Sequence, residues 1–184
     1  MMNLFRSLFA ILLLASFICP SLIVADSEVV DLSKLPKEEL FKFYAGHWQY
    51  ATEDKTAYGM ADVKLKVDDK VLQDTTYGYV NNIKFLGTAM FMYEASKELW
   101  HQRWIDSLGN VLKVEIKLKP YEAAEGMALV GELEHQGIKM KHIWYNVTPE
   151  RFETDLLVSQ DGQNYQLVRR MPYIRIAADK APGH

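Results

Sequence analysis

Residues 71–93 read VLQDTTYGYVNNIKFLGTAMFMY, and this stretch decides the fold. Two runs of alternating apolar and polar residues, Val71–Val80 and Ile83–Tyr93, flank the pair Asn81-Asn82. Alternation with a period of two is typical of a half-buried β-strand, and two asparagines between such runs favour a tight turn. The stretch therefore predicts two neighbouring antiparallel strands joined as a β-hairpin.

The same pattern continues on both sides of this hairpin. It predicts ten strands, at His47–Thr52, Tyr58–Val67, Val71–Val80, Ile83–Tyr93, Leu99–Asp106, Val111–Leu118, Met127–His135, Ile138–Val147, Phe152–Ser159 and Tyr165–Arg175. The breaks are short: Asp68-Asp69 and Gln136-Gly137 are read as two-residue loops, and residues 107–110, 148–151 and 160–163 as four-residue turns. A long sheet of sequentially paired strands removes its exposed edges by closing. We predict an all-β, antiparallel up-and-down barrel.

One short helix is predicted before the first strand. In Leu35–Gly46, Pro36 stands at a first-turn position, two glutamates follow and a glycine ends the segment. Leu40, Phe43 and Tyr44 share one face of such a helix. We expect that face to close one end of the barrel.

The first residues predict export. Arg6 precedes the apolar stretch Leu8–Ile18, which is short for a membrane span, and Val24-Ala25 offers a cleavage site before Asp26. Residues 1–25 are therefore read as a removed signal peptide, 26–176 as a single barrel domain and 177–184 as a flexible tail. The expected location is periplasmic or secreted, without a transmembrane anchor. Cys19 lacks the small preceding residue that a lipoprotein cleavage site requires.

Composition excludes several classes of function. The only cysteine lies in the leader, so the mature domain has no disulfide, no thiol nucleophile and no thiolate metal site. Removal of Arg6 leaves 20 basic against 24 acidic residues and no basic block, which argues against nucleic acid. The histidines show no metal-ligand spacing and no Gly-x-Ser-x-Gly is present, so neither a metal nor a hydrolytic serine is expected.

Three segments, Ala45–Trp48, residues 93–110 and residues 146–152 with 159–162, resemble segments of one known family. It is the DUF1579 group of lipocalin-like proteins, within the broad calycin type of barrel, whose members are exported and mostly of unknown function. Ala45-Gly-His-Trp48 resembles the opening Gly-x-Trp strand, residues 93–110 (YEASKELWHQRWIDSLGN) the central hairpin, and residues 146–152 with 159–162 the late turns. The resemblance spans most of the mature chain and implies a barrel with a lumen. Gln49–Asp54 lacks the glycine-rich segment of similar haem-binding barrels, so no haem or other cofactor is expected.

Alternation along the strands gives candidate lumen residues. Three rows combine aromatic and polar side chains: Trp100, Gln102, Trp104 and Asp106; Met140, His142, Trp144 and Asn146; and Gln73, Thr75, Tyr77 and Tyr79. Aromatic rings with polar tips and flexible methionines suit a small, largely apolar or amphipathic ligand. The predicted ligand-binding residues are Tyr77, Met90, Met92, Arg103, Trp104, His142 and Trp144, with Arg103 meeting an acidic head group.

Other readings stay open at this point. The four tryptophans could be ordinary core, His142 a buried imidazole bonded to a neighbour, and Arg103 a surface cation paired with Glu115. An enzyme of the isomerase, cyclase or hydratase type would use His142 or Glu115, with Glu115 meeting Asp74, or Asp62 meeting His142, across the lumen. An envelope interaction module without a small ligand would instead expose an apolar patch or an unpaired strand edge.

Overall fold

The computed structural model describes residues 27–180, which form a closed barrel of ten antiparallel strands. The strands are β1 (Gly46–Ala51), β2 (Ala57–Lys66), β3 (Val71–Val80), β4 (Ile83–Glu94), β5 (Leu99–Asp106), β6 (Val111–Pro120), β7 (Met127–His135), β8 (Ile138–Tyr145), β9 (Arg151–Ser159) and β10 (Gln166–Arg175). Each pairs with its neighbours in the chain, and β1 pairs with β10. The predicted up-and-down barrel is confirmed. The predicted signal peptide and residues 181–184 of the tail lie outside the described residues.

Left-handed turn conformations hold the hairpins together. Asn81 and Asn82 have φ angles of 50° and 64°, and Gln136-Gly137 adopts 52° and 78°, as tight hairpin turns require. The β2–β3 connection is longer than the two residues predicted. It spans residues 67–70, because β2 ends at Lys66 and β3 begins at Val71. Turn chemistry therefore fixes the register of the strands, and with it the side chains that face inward.

The N-terminal segment closes one end of the barrel, and we call residues 32–44 the plug. Instead of one continuous helix it contains three 3-10 turns, Leu32–Lys34, Lys37–Glu39 and Lys42–Tyr44. The break falls at Phe41, whose φ of −101° and ψ of 1° interrupt the helical path. The side chain of Phe41 is fully buried as a result.

Aromatic packing anchors the plug inside the barrel. The ring of Phe41 lies 5.0 Å from that of Phe91, 5.2 Å from Trp100 and 5.3 Å from Trp144, measured between centroids. Edge-to-face contacts of this kind add to the free energy gained by burying the rings. Trp100 and Trp144 are thus core residues on their plug-facing sides.

Two tryptophan N–H groups bind plug carbonyls. Trp48 Nε1 donates to the carbonyl of Tyr44 at 2.8 Å, and Trp100 Nε1 donates to the carbonyl of Lys37 at 2.7 Å. Arg175 adds bonds to the carbonyls of Ala45 and Phe43, at 2.9 Å and 3.1 Å. These bonds tie the backbone of the plug and of Ala45 to the barrel wall, and the carbonyl of Lys37 also accepts the N–H of Leu40. The plug therefore belongs to the folded core.

Candidate functional site

A cavity of about 210 Å³ occupies the lumen above the plug. Its floor is formed by Tyr44 of the plug together with Phe91 and Trp144. It extends toward the opposite end of the barrel, which we call the mouth, where strands β3 and β4 turn at residues 80–83. The lining consists of Tyr44, Tyr50, Ala57, Asp74, Thr76, Val80, Phe85, Phe91, Gln102, Trp104, Leu112, Val114, Leu133, Met140, His142, Trp144, Leu156, Arg169, Met171 and Tyr173. Most of these side chains are apolar or aromatic, as in small-molecule sites generally.

The floor carries a buried carboxylate, Asp74. Its side chain accepts hydrogen bonds from the hydroxyls of Tyr44, at 3.0 Å, and Thr76, at 2.7 Å. The residue is only 3% exposed, and this burial raises the pKa of Asp74 to about 6, although the two hydrogen bonds oppose the rise. Burial raises the pKa values of Tyr50 and Tyr173, and the nearby negative charge of Asp74 raises them further. The floor is therefore polar although its walls are aromatic.

His142 lies on the neighbouring wall against an indole. Its ring is 4.0 Å from that of Trp144, between centroids, and burial lowers the pKa of His142 to about 4, so the imidazole is neutral at pH 7. The ring is half-buried because one part of it lines the cavity. Its Nε2 atom is buried and has no hydrogen-bond partner within residues 27–180. The predicted bond between this imidazole and a neighbour is thus not found at that atom.

Gln102 brings an amide into the same space. The residue is 6% exposed and lines the cavity, and no described residue hydrogen-bonds to its side chain. Its oxygen and nitrogen atoms are not fully buried but reach the open space of the cavity, where a ligand or water can supply the bond. Gln102 and His142 therefore add unused hydrogen-bonding groups to a cavity whose walls are mostly apolar or aromatic.

Trp104 forms part of the wall near the mouth, and a glycine makes room for it. A Cβ atom at Gly87 would lie 2.2 Å from the Trp104 ring, so the indole can lie flat only against a residue without a side chain. The indole N–H donates to Asp106 at 2.9 Å. Asp106 in turn accepts the backbone N–H groups of Leu108 and Asn110 in the β5–β6 turn. The turn thereby fixes the orientation of the ring.

Arg169 places a cation in the cavity wall. It is half-buried on β10, and no described residue forms a hydrogen bond or ion pair with its guanidinium. Its charge acts on Tyr50, His142 and Tyr173, although burial has the larger effect on the pKa of each. Sequence reasoning missed this residue, and the nearest signal was only a pair of adjacent arginines on one strand.

The structure brings together three of the predicted ligand-binding residues, Trp104, His142 and Trp144, which all line the cavity. The rows containing them, on β5 and β8, face inward as the alternation indicated. The remaining four predicted residues lie elsewhere. They are Tyr77, Met90, Met92 and Arg103.

The row on β3 was assigned to the wrong face. Leu72, Asp74 and Thr76 are buried, whereas Tyr77 and Tyr79 lie on the outer side. On this strand polar side chains face the interior and tyrosines face outward, which is the reverse of the usual distribution. Asp74 and Thr76 can face inward because they form the polar floor, where Asp74 accepts hydrogen bonds from Thr76 and Tyr44. Tyr79 instead stacks on Tyr58 at 5.1 Å between centroids on the outer surface.

The two predicted methionines on β4 and the predicted cation on β5, Arg103, also lie on the outer side. Met90 pairs in register with Arg103, and Met92 with His101. Arg103 is exposed, and its guanidinium donates to the carbonyl of Gln102 at 3.2 Å. Arg103 and Trp104 are consecutive, so they necessarily point to opposite faces of the strand and cannot both face the lumen.

The predicted carboxylate pairs across the lumen are wrong. Glu115 is exposed on the outer side of β6, opposite Glu132, and therefore cannot meet Asp74. Asp62 lies beside His47 and Lys64, at 3.2 Å and 2.6 Å, and does not meet His142. Of the four acids and bases considered, the cavity contains Asp74 and His142.

The mouth is surrounded by exposed apolar side chains. Short turns place the first residues of β4, β6 and β8 there, and Ile83, Val111 and Ile138 are 58%, 65% and 44% exposed. Leu108 and Val168 add to this group at 50% and 55%. Each strand pairs on both sides, so no sheet edge is open within the described barrel.

Neither a membrane-spanning helix nor a cluster of metal ligands occurs in the described part of the chain. Across residues 27–180, no helix is both long and apolar enough to cross a membrane. In the same part of the chain, no group of three or more His, Cys, Asp or Glu side chains is arranged to hold a metal ion.

Comparison with known proteins supports the fold. The structure of the S-type phycobiliprotein lyase CpeS from Guillardia theta is similar, with a TM-score of 0.55 and 10% identity over 80% of this chain and 96% of that one. A structure described as EF1p2_mFAP2b bound to DFHBI matches at a TM-score of 0.36 and 12% identity, over 77% of this chain and 100% of that one. No family model and no curated protein matches the sequence. The chain therefore has the lipocalin-like barrel fold.

Proposed function

We propose that this protein is an exported, DUF1579-type lipocalin-like protein that binds a small, largely apolar molecule in its lumen without transforming it. The observation that carries the proposal is the cavity itself. Its walls are aromatic and aliphatic, and the amide of Gln102 lacks a protein partner there. A core evolved for packing alone would place an apolar side chain at that position.

The size of the cavity limits the ligand. A dry apolar cavity of about 150 Å³ is large enough to hold benzene. The 210 Å³ space above the plug therefore suits a molecule of one or two rings, or a short alkyl chain. A larger ligand would have to extend through the mouth.

The proposal of export rests on the leader sequence. Residues 1–25 combine one cation, an apolar stretch and a small-residue cleavage site, and the chain that follows contains no cysteine. A test is to express the full chain in a bacterium and determine the N-terminus of the recovered protein by mass spectrometry. Export predicts a chain beginning at or near Asp26, and an intact N-terminus would contradict it.

Binding is tested by thermal shift and calorimetry on the mature chain with one-ring and two-ring aromatic compounds. At a ligand concentration of 100 times Kd, binding to the folded state alone adds about 2.7 kcal/mol to the free energy of unfolding. The variant Leu156→Trp introduces an indole into the cavity wall and should abolish binding. The matched control Leu86→Trp introduces the same group at a position that is 49% exposed, outside the cavity, and should leave binding intact. Equal binding by the two variants would place the ligand elsewhere.

A second function is supported by one observation, the state of Asp74. A carboxylate with a pKa of about 6, hydrogen-bonded to a tyrosine at the base of a cavity, is suited to proton transfer near neutral pH. Such an enzyme would be an isomerase, cyclase or hydratase acting on the bound molecule. Once a ligand is known, it can be incubated with the protein in deuterated water. Incorporation of deuterium into the ligand would favour this function if Asp74→Asn abolishes the incorporation but retains the affinity. Recovery of the ligand unlabelled would exclude proton exchange.

A further inference from the structure

We propose that the lumen ligand is an anionic amphipathic molecule whose single carboxylate, or similar group, binds Arg169 while its apolar part extends toward Trp144. This inference rests on the proposed binding function and names its ligand class. It replaces Arg103, which faces outward, as the cation that meets the head group.

A β-bulge directs Arg169 into the lumen. Gln166 and Leu167 pair with Val158 and Leu157, but Arg169 pairs with Leu156, so Val168 is an extra residue in β10. If the pairing continued without a bulge, Val168 would lie opposite Leu156 and face inward, and Arg169 would face outward. Instead Val168 is 55% exposed and Arg169 lines the cavity. The bulge thus places the cation Arg169 in the lumen, where regular alternation would place the apolar Val168.

The neighbouring residue, Arg170, has a structural role, because its guanidinium is paired with an acid of the protein. Arg170 points to the outer side, where its Nε and Nη2 atoms donate to the two oxygens of Asp155 at 2.8 Å and 2.7 Å. Tyr145 also donates to Asp155, at 3.2 Å. Arg169 has no such acceptor within residues 27–180. A half-buried guanidinium without an anion retains its five donors for a ligand.

The acid of the lumen does not neutralise Arg169. Asp74 is the carboxylate that lines the cavity, and its oxygens already accept the hydroxyls of Tyr44 and Thr76. No ion pair joins Asp74 to Arg169 in the described structure. The cation is therefore available near the mouth, and the apolar walls of Trp144 and Phe91 lie deeper.

This arrangement fixes the orientation of the ligand. An anion at Arg169 stays close to the mouth, where water can still reach it, so its desolvation penalty is moderate. The apolar part then enters the aromatic walls, and the amide of Gln102 can bond to a polar atom along its length. The opposite orientation would place the anion beside the carboxyl group of Asp74 and is disfavoured by repulsion.

The test uses three probes of nearly equal shape, 2-naphthoate, 2-naphthalenemethanol and 2-naphthylmethylammonium, titrated into the mature chain at pH 7.5 by calorimetry. A hydrogen-bonded charge pair predicts that naphthoate binds roughly 10 to 100 times more tightly than the alcohol, and that the ammonium binds most weakly. In Arg169→Gln the preference for the acid should disappear while the affinity for the alcohol is kept. Arg169→Lys should retain part of the preference. The control Arg103→Gln removes the same charge from the outer side and should leave the preference intact.

The outcomes separate the two proposals. Equal binding of acid and alcohol to the unmodified protein, or an acid preference that survives in Arg169→Gln, overturns the anionic ligand class but leaves lumen binding in place. Binding of none of the probes to the unmodified protein contradicts both. Circular dichroism melts of each variant verify folding, and Arg169→Lys provides the measurement if Arg169→Gln unfolds.

Discussion

Replacement of Asp74 by asparagine should change the pH dependence of stability in a defined window. Burial holds the pKa of Asp74 at about 6 in the folded protein, against an ordinary value of 3.8. Between these pH values the folded protein binds more protons than the unfolded chain. The contribution of Asp74 to stability is therefore fully present below pH 3.8 and is lost as the pH rises through 6. A difference of about two pKa units corresponds to about 3 kcal/mol.

His142 titrates in an overlapping range with the opposite sign. Burial lowers its pKa from 6.5 to about 4, so the folded protein binds fewer protons than the unfolded chain between these values. Stability from this residue is present above pH 6.5 and is lost as the pH falls toward 4. The two contributions partly cancel in the unmodified protein, and only the difference between protein and variant isolates Asp74.

The assay is urea unfolding of the mature chain and of Asp74→Asn at pH values from 3.5 to 7.5. The free energy of unfolding of the unmodified protein, minus that of Asp74→Asn, should fall by about 3 kcal/mol from the acid to the neutral end. Asparagine does not titrate, so the pH dependence of this difference comes from Asp74 alone. Glu115→Gln makes the corresponding change at an exposed carboxylate on the outer side of β6 and is the matched control. A flat difference for Asp74→Asn, or one that rises with pH, would refute a buried carboxylate of raised pKa.

Further substitutions test the plug and the walls of the cavity. In urea titrations, Phe41→Ala should lower the free energy of unfolding by roughly 3 to 5 kcal/mol, because it leaves a cavity where a fully buried ring was. Phe43→Ala, at a half-buried position, should lower it by less. Gly87→Ala should displace the Trp104 ring, visible as a changed tryptophan emission spectrum and weaker probe binding; an unchanged spectrum would contradict the close approach. Gln102→Leu should change the free energy of unfolding of the empty protein by less than about 1 kcal/mol, because no described residue bonds to the amide and its atoms reach the cavity; a larger loss of stability would contradict this.

Strand number and order were predictable because their causes are local. Alternation has a period of two, and turn residues such as Asn81-Asn82 have intrinsic preferences for left-handed conformations. Ten strands in sequential order leave two unpaired edges, and closure satisfies them. The position of the plug was also within reach, since Leu40 and Tyr44 recur at helical spacing, although the break at Phe41 was not.

The candidate site was only partly predictable. Trp104, His142 and Trp144 were placed on the inner face, because β5 and β8 pair with their neighbours without a register shift, so that every second side chain faces inward. Tyr77 was placed on the wrong face, because a polar floor makes Asp74 an inward residue and reverses the usual rule. Local patterns describe each strand alone and do not reveal what the opposite wall of the barrel needs.

Sequence alone determined an antiparallel barrel, a plugged end and a chain without cysteine after residue 19, since each follows from neighbouring residues or composition. Only the tertiary structure decided that Asp74 is inside, that Gln102 lacks a partner and that one extra residue at Val168 turns Arg169 into the lumen. The physical reason is that register and burial are set by pairing across the whole sheet. A one-residue shift reverses every side chain that follows it.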